Sequence, residues 1–252
     1  MKKKYKKVNA AILVIGNEIL SGRTQDKNIS FISDWLNVEC GISVEEARVV
    51  QDVENIIVKN VLDLSKRFKY VFTTGGIGPT HDDITAKSIS KAMKVKYEYH
   101  KIAFNILEKY YGKAKFNDGR KKMAKMPKGS NLIYNPSSAA PGFTIKNIFC
   151  LPGVPSILES MMPNTKRYLL KGSKTYSENI SIITVESNIA KYLTKLQKKY
   201  HKIIDIGSYP FFRLGRVGVS VVFRSMDKKA IKNCKKELLK IIKKLKLKLH
   251  SN

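Results

Sequence analysis

Acidic residues are scarce in this chain of 252 residues: 20 Asp and Glu stand against 48 Lys and Arg, a formal charge of +28. Arginine is scarce as well, since only eight of the 48 cations are Arg, leaving 40 Lys spread along nearly every segment. Arg is the usual choice for bidentate phosphate and base contacts, whereas scattered Lys makes a solvated surface. The charge therefore reads mainly as a compositional bias toward Lys, with attraction of anionic metabolites as its functional counterpart. The three cysteines, Cys40, Cys150 and Cys234, lie far apart and form no CxxC or Cys/His cluster. They read as reduced, buried, small apolar side chains. No apolar run approaches membrane-spanning length, and the run after the basic start, Ala10 to Ile15, is too short for a signal peptide. The expectation is a cytoplasmic protein without a membrane partner.

What is present is a globular composition, 43% apolar and 9% aromatic, organised around Thr73-Thr74-Gly75-Gly76-Ile77-Gly78-Pro79-Thr80-His81-Asp82-Asp83-Ile84-Thr85. An aromatic and β-branched run precedes it, and helically spaced apolar residues follow, so it reads as strand, glycine turn, helix. Glycines let backbone N–H groups approach a phosphate, and a helix N-terminus adds partial positive charge. Asp82 and Asp83 sit where the helix begins. Such carboxylates are either caps or, beside an anion site, ligands of a divalent cation. His81 is either a general base, its ordinary pKa being about 6.5, or a capping group.

Ala10 to Ile15 reads as a strand buried on both faces. It ends in the loop Gly16-Asn17-Glu18-Ile19-Leu20-Ser21-Gly22, where open α/β sheets place ligands. A helix over 28–36, a strand over 42–50, a helix over 53–67 and a strand over 69–74 follow. Residues 97–126 read as a helical insertion, in which Arg120 is either the residue that reaches a phosphate or a plain surface cation. A short strand at 132–134 leads to the small-residue loop Asn135 to Phe143, with Ser137 and Ser138. Strand 148–151 then opens a second glycine turn, Pro152-Gly153-Val154-Pro155, before a helix; Pro155 suits a first helical turn. The pattern predicts a three-layer α/β/α domain with a mostly parallel sheet over 1–172. Residues 173–252, in the order βαββα, read as a small α+β subdomain.

The segments Gly16 to Gly22, Thr73 to Thr85, Asn135 to Phe143 and Leu151 to Pro155 together resemble the signatures of the molybdopterin-binding (MoaB/Mog-like) domain family. The variant is most similar to the amino-terminal domain of the CinA branch and to the domain fused to FAD synthase. Asp205 to Phe212 resembles the smaller region of that branch. Where many relatives carry Gly-Thr before Ala-Pro-Gly, this chain has Ser138-Ala139. The carboxyl-terminal amidohydrolase domain of CinA is not expected in this chain, nor is its activity.

The resemblance implies a metal-dependent nucleotide pyrophosphatase acting on ADP-ribose or a related dinucleotide such as FAD. It places Asp83, Asp82 and His81 in catalysis, with Asp82, Asp83 and Glu18 around a divalent metal (Mg, Mn, Co or Ni). Gly75, Gly76, Gly78, Thr80, Thr85, Gly16, Asn17, Ser137, Ser138, Gly153, Pro155 and Arg120 are the candidate substrate and phosphate contacts. A second reading is a molybdopterin binder or molybdopterin adenylyltransferase. The third, a basic nucleic-acid-binding protein, predicts steeply salt-dependent binding. The partner expected is a nucleotide-containing small molecule, and the resemblance also implies a homo-oligomer.

Overall fold

The structure, a computed structural model, describes residues 5–213 and 215–250. It divides into two compact units, 6–172 and 173–252, Tyr5 going with the latter.

The larger unit starts with β1 (Val8–Ile15), a four-residue helix α1 (Asn17–Leu20), α2 (Asn28–Trp35), β2 (Ile42–Val50), α3 (Glu54–Arg67) and β3 (Tyr70–Thr74). Then come α4 (Thr85–Met93), β4 (Tyr97–Tyr99), α5 (Lys101–Tyr111), α6 (Asp118–Lys122) and β5 (Lys125–Pro127). It closes with β6 (Asn131–Ile133), β7 (Gly142–Ile145), β8 (Ile148–Leu151) and α7 (Pro155–Met161). The six-stranded sheet has the order β2-β1-β3-β8-β7-β6. Strands β2, β1, β3 and β8 are mutually parallel, β7 runs against β8, and β6 against β7.

Alternation along β1 explains the layers. Ala11, Leu13 and Ile15 face Ile57, Val61 and Leu64 of α3 and Ile89 of α4, whereas Ala10, Ile12 and Val14 face Ile32 of α2 and Leu158 and Met161 of α7. A strand apolar on both faces needs a helical layer on each, and both are present. The α/β/α reading holds. Several short elements were not foreseen, among them α1 within the loop that follows β1. Residues 142–145, read in part as loop, form β7 and make the sheet mixed, and the insertion's ends pair as the ribbon β4-β5, Tyr97 opposite Pro127.

The direction of the strands places the site. Ile15, Val50, Thr74 and Leu151 end parallel strands, and β6, antiparallel to β7, points the same way as β8. The loops starting at 16, 51, 75, 134 and 152 therefore all leave the same edge of the sheet, its carboxyl edge, where open α/β sheets bind ligands.

The smaller unit contains β9 (Tyr176–Ile183), α8 (Glu186–Lys199), β10 (Asp205–Arg213), β11 (Arg216–Ser225), α9 (Lys228–Lys244) and β12 (Lys248–Leu249). Its antiparallel sheet has the order β10-β11-β9-β12. Ile189, Leu193 and Leu196 of α8 and Ile231, Cys234, Leu238 and Ile242 of α9 pack on Ile180, Ile182, Val219, Val221 and Phe223. The pattern is βαββαβ, one short edge strand more than the sequence suggested.

Candidate functional site

Strand ends bring the two glycine turns together. Gly75 has φ 101°, a left-handed-side conformation closed to other residues, and a Cβ there would collide with Ile15 O. A Cβ on Gly153 would stand 3.4 Å from Gly75 Cα, so the two turns touch. Asn28, buried at the start of α2, spans them: its Nδ2 donates to Thr74 Oγ1 at 2.9 Å and to Gly153 O at 2.8 Å. Thr74 Oγ1 in turn donates to Pro152 O at 2.9 Å.

Several candidate contacts are consumed by the architecture. Gly75 N donates to Leu151 O at 3.1 Å, which withdraws it from any phosphate. Thr85 is fully buried; its N donates to Gly76 O at 3.0 Å and its Oγ1 to Gly75 O at 2.9 Å, so it closes the turn and does not face a ligand. Pro155 is the first residue of α7 and has no N–H to offer. The amides of Gly76, Ile77 and Gly78 donate to no group among the described residues. They precede the uncapped N-terminus of α4, a setting of free amides and helix dipole that favours an anion.

The carboxylates belong to the turn itself and do not cap α4. Asp83 Oδ2 accepts from Thr80 N at 2.7 Å and from Thr80 Oγ1 at 2.6 Å, and Asp82 Oδ1 lies 2.5 Å from the same hydroxyl. A hydroxyl has one proton, so the two carboxylates compete for it. The Thr80 hydroxyl, and with it the Asp82 amide and the charges of His81 and Lys122, holds the Asp82 carboxyl below its ordinary pKa. His81 is exposed beside Asp82.

Across the edge, Glu18 is exposed at the end of β1 and folds back over Gly16, its Oε1 2.6 Å from where a Cβ on Gly16 would lie. Asn17 N donates to Asp52 Oδ2 at 2.8 Å. Asp52, in the loop after β2, was not singled out from the sequence. Burial raises its carboxyl pKa, and the charges of Glu18 and Asp82 push it further the same way. The first loop and the glycine turn start side by side, because Gly75 lies directly against Ile15 O at the end of β1. The signal available in the sequence was positional, a carboxylate two residues beyond the last residue of a parallel strand. Among the described residues, no three His, Cys, Asp or Glu side chains converge closely enough to hold a metal by themselves.

The small-residue loop is organised by Asn135, whose Oδ1 accepts from the amides of Ser137 and Ser138 at 2.9 and 3.1 Å. Asn135 Nδ2 donates to Ser138 Oγ at 2.8 Å, and Ser137 Oγ pairs with Ser160 Oγ at 2.8 Å. The Ser138 hydroxyl therefore serves the loop's own shape, and that of Ser137 ties the loop to α7. Arg120 is not aimed at the turn: its guanidinium donates to Lys115 O and stacks over the Tyr111 ring at 4.2 Å. The insertion's cation at the turn is Lys122, which donates to Thr80 O. A cavity of about 10 Å³, room for about one water, lies between Gly78, Asp83, Tyr97, Lys122 and Pro141. Burial, helped by Tyr99 and Asp83, pushes the Tyr97 phenol up to about 12.

Known proteins resemble this chain in sequence and fold. Residues 11–172 match the model of the probable molybdopterin-binding domain, and residues 174–249 match the middle domain of FAD synthase. A protein of Sulfurisphaera tokodaii is 38% identical over 202 residues, 76% of this chain and 76% of its own length. One from Archaeoglobus fulgidus is 31% identical over 232 residues, 92% of this chain and 96% of its own. The crystal structure of CinA from Thermoplasma acidophilum, a protein of unknown function, is similar with a TM-score of 0.61 and 32% identity. That likeness covers 64% of this chain and 98% of the other. With its carboxyl-edge loops and its two touching glycine turns, the chain belongs to the molybdopterin-binding domain family.

Proposed function

We propose that the protein is a metal-dependent nucleotide pyrophosphatase that splits the phosphoanhydride of ADP-ribose or of a related dinucleotide such as FAD. The observation that carries the reading is the Thr80 hydroxyl, 2.5 Å from Asp82 and 2.6 Å from Asp83 beside unpaired glycine amides. One proton between two carboxylates leaves negative charge that hydrogen bonding does not neutralise, and the donors are hard oxygens. Such a set fits Mg, Mn, Co or Ni in character, and small hard cations are commonly held by one or two carboxylates plus substrate phosphate and water. The lack of an all-protein cage is compatible with a cation that arrives with the substrate.

In this scheme the amides of Gly76 and Gly78 orient one phosphate, and the turn at Gly153 borders the other. Asp82 and Asp83 hold the cation, with Glu18 and Asp52 facing them across the edge. A bound divalent cation polarises a phosphoryl oxygen and makes water more acidic. His81 accepts the proton of the attacking water, whose oxygen bonds to phosphorus as the bridging P–O bond breaks. Both products leave as phosphomonoesters. The match to the FAD synthase middle domain favours a flavin or adenine dinucleotide. The match to the molybdopterin-binding model favours a second reading, binding or adenylylation of molybdopterin in the same pocket.

The test is a hydrolysis screen of ADP-ribose, FAD, NAD and diadenosine compounds with each of the four metals. Product that disappears in Asp83→Asn supports the pyrophosphatase. No product in any combination overturns it, and an adenylylated product from ATP and molybdopterin establishes the second reading.

A further inference from the structure

We infer that Lys122 is the phosphate-binding cation of the site, supplied by the insertion to a diphosphate-bearing substrate; this rests on the pyrophosphatase reading above. The inference starts from charge. A diphosphate bound at this edge meets Asp82 and Asp83, with Glu18 and Asp52 opposite, and one divalent cation does not balance that set. Protein cations are needed close to the turn, and two of the insertion's other cations are committed elsewhere. Arg120 is held by Lys115 O and the Tyr111 ring. The Lys125 ammonium lies over the Tyr99 ring at 4.6 Å. The Lys122 ammonium instead donates to Thr80 O, in the residue whose hydroxyl both catalytic carboxylates contact.

The fold aims this side chain. A Cβ on Gly119 would stand 3.1 Å from Pro79 O, so α6 lies against the glycine turn backbone to backbone. Asn117 Oδ1 caps α6 by accepting from Arg120 N at 3.0 Å, and Arg120 on Tyr111 pins α6 to α5. Lys122 also lines the small cavity together with Gly78 and Asp83. An ammonium has three N–H donors, and the bond to Thr80 O uses one. A phosphate oxygen offers the others a charge-assisted bond, stronger than a bond to a neutral carbonyl. Sequence position alone pointed to Arg120; the geometry of α6 substitutes its neighbour two residues on.

The experiment measures inorganic pyrophosphate binding by calorimetry in the presence of Mg, together with KM and kcat on whichever dinucleotide is hydrolysed, for the full chain. Lys122→Gln should weaken pyrophosphate binding and raise KM by about tenfold or more, with a smaller change in kcat. Lys122→Arg should recover most of the loss: Gln keeps N–H donors for Thr80 O, so what Arg restores is the positive charge. Pyrophosphate binding unchanged in Lys122→Gln overturns the inference, as does an equal loss in Lys122→Arg with an unaltered melting temperature. Pyrophosphate binding that depends on Lys122 in a protein with no turnover would defeat the pyrophosphatase reading while leaving this one standing.

Discussion

Gly78 and Asp83 share one space: the Asp83 Oδ2 lies 2.7 Å from the point where a Cβ at position 78 would stand. The glycine is therefore required by the carboxylate as much as by any phosphate. The same relation recurs at Gly16, beneath the Glu18 carboxylate. Gly78→Ala forces Asp83 away from Thr80 without touching the sheet, since residue 78 lies outside its strands. Hydrolysis should fall about 100-fold, some 2.7 kcal/mol of transition-state stabilisation, while the melting temperature changes little. Steady-state kinetics beside thermal unfolding check this, and full activity would show that Asp83 does not act from the observed position.

Thr80→Val removes the hydroxyl between the two carboxylates and keeps the side-chain shape. The hydrogen bond from Thr80 is the largest influence holding the Asp82 carboxyl below its ordinary pKa, so its removal must raise that pKa. The acidic limb of the kcat/KM profile should move to higher pH in the variant. A profile that superimposes on that of the wild type would remove Thr80 from the site.

Asp52 has the opposite sign. Its carboxyl pKa is raised in the folded protein by burial and by Glu18 and Asp82. The folded state thus holds the proton more tightly than the unfolded state, and stability falls as pH rises through the ordinary value to the folded one. Above that window the penalty is complete, and below about pH 4 it is absent. Asp52→Asn keeps an acceptor for Asn17 N and removes the charge. Its melting temperature should exceed that of the wild type at neutral pH, and the gain should vanish as pH falls below about 4. Melting curves across pH measure both halves of the expectation.

Much of this architecture is legible in the sequence because it rests on alternation. The apolar face switch between Ala10, Ile12, Val14 and Ala11, Leu13, Ile15 demands two helical layers, and both are found. The short strands escaped for want of periodicity: β7 has four residues and β12 two, too few to alternate visibly. Within the site, the residue types were readable and the hydrogen-bond assignments were not. Gly75 and Thr85 look like phosphate donors in sequence, yet the pairing of Thr74 with Leu151 puts Leu151 O opposite the Gly75 amide. Likewise nothing in Arg120-Lys121-Lys122 says which cation turns toward the glycine turn. That depends on how α6 packs on Pro79, a contact between residues far apart in the chain.

Asn28 provides the last prediction, because it joins the two turns on which the whole edge depends. It is 4% exposed, and its amide donates both to Thr74 Oγ1 on the β3 side and to Gly153 O on the β8 side. Truncation to Ala removes both bonds and leaves the buried Thr74 hydroxyl without the donor it accepts from, at about 1–3 kcal/mol for an unsatisfied buried group. Asn28→Ala should therefore lower unfolding free energy by about 2 kcal/mol in urea titrations. It should also loosen the approach of Gly153 to Gly75, so pyrophosphate affinity should fall in the protein that remains folded. Asn28→Asp separates the two effects. It cannot donate to Gly153 O and adds a buried charge beside a carbonyl, so it should destabilise more than Ala does. If both variants were as stable as the wild type, the two turns would be held together by their strands alone, and Asn28 would have no part in shaping the phosphate edge.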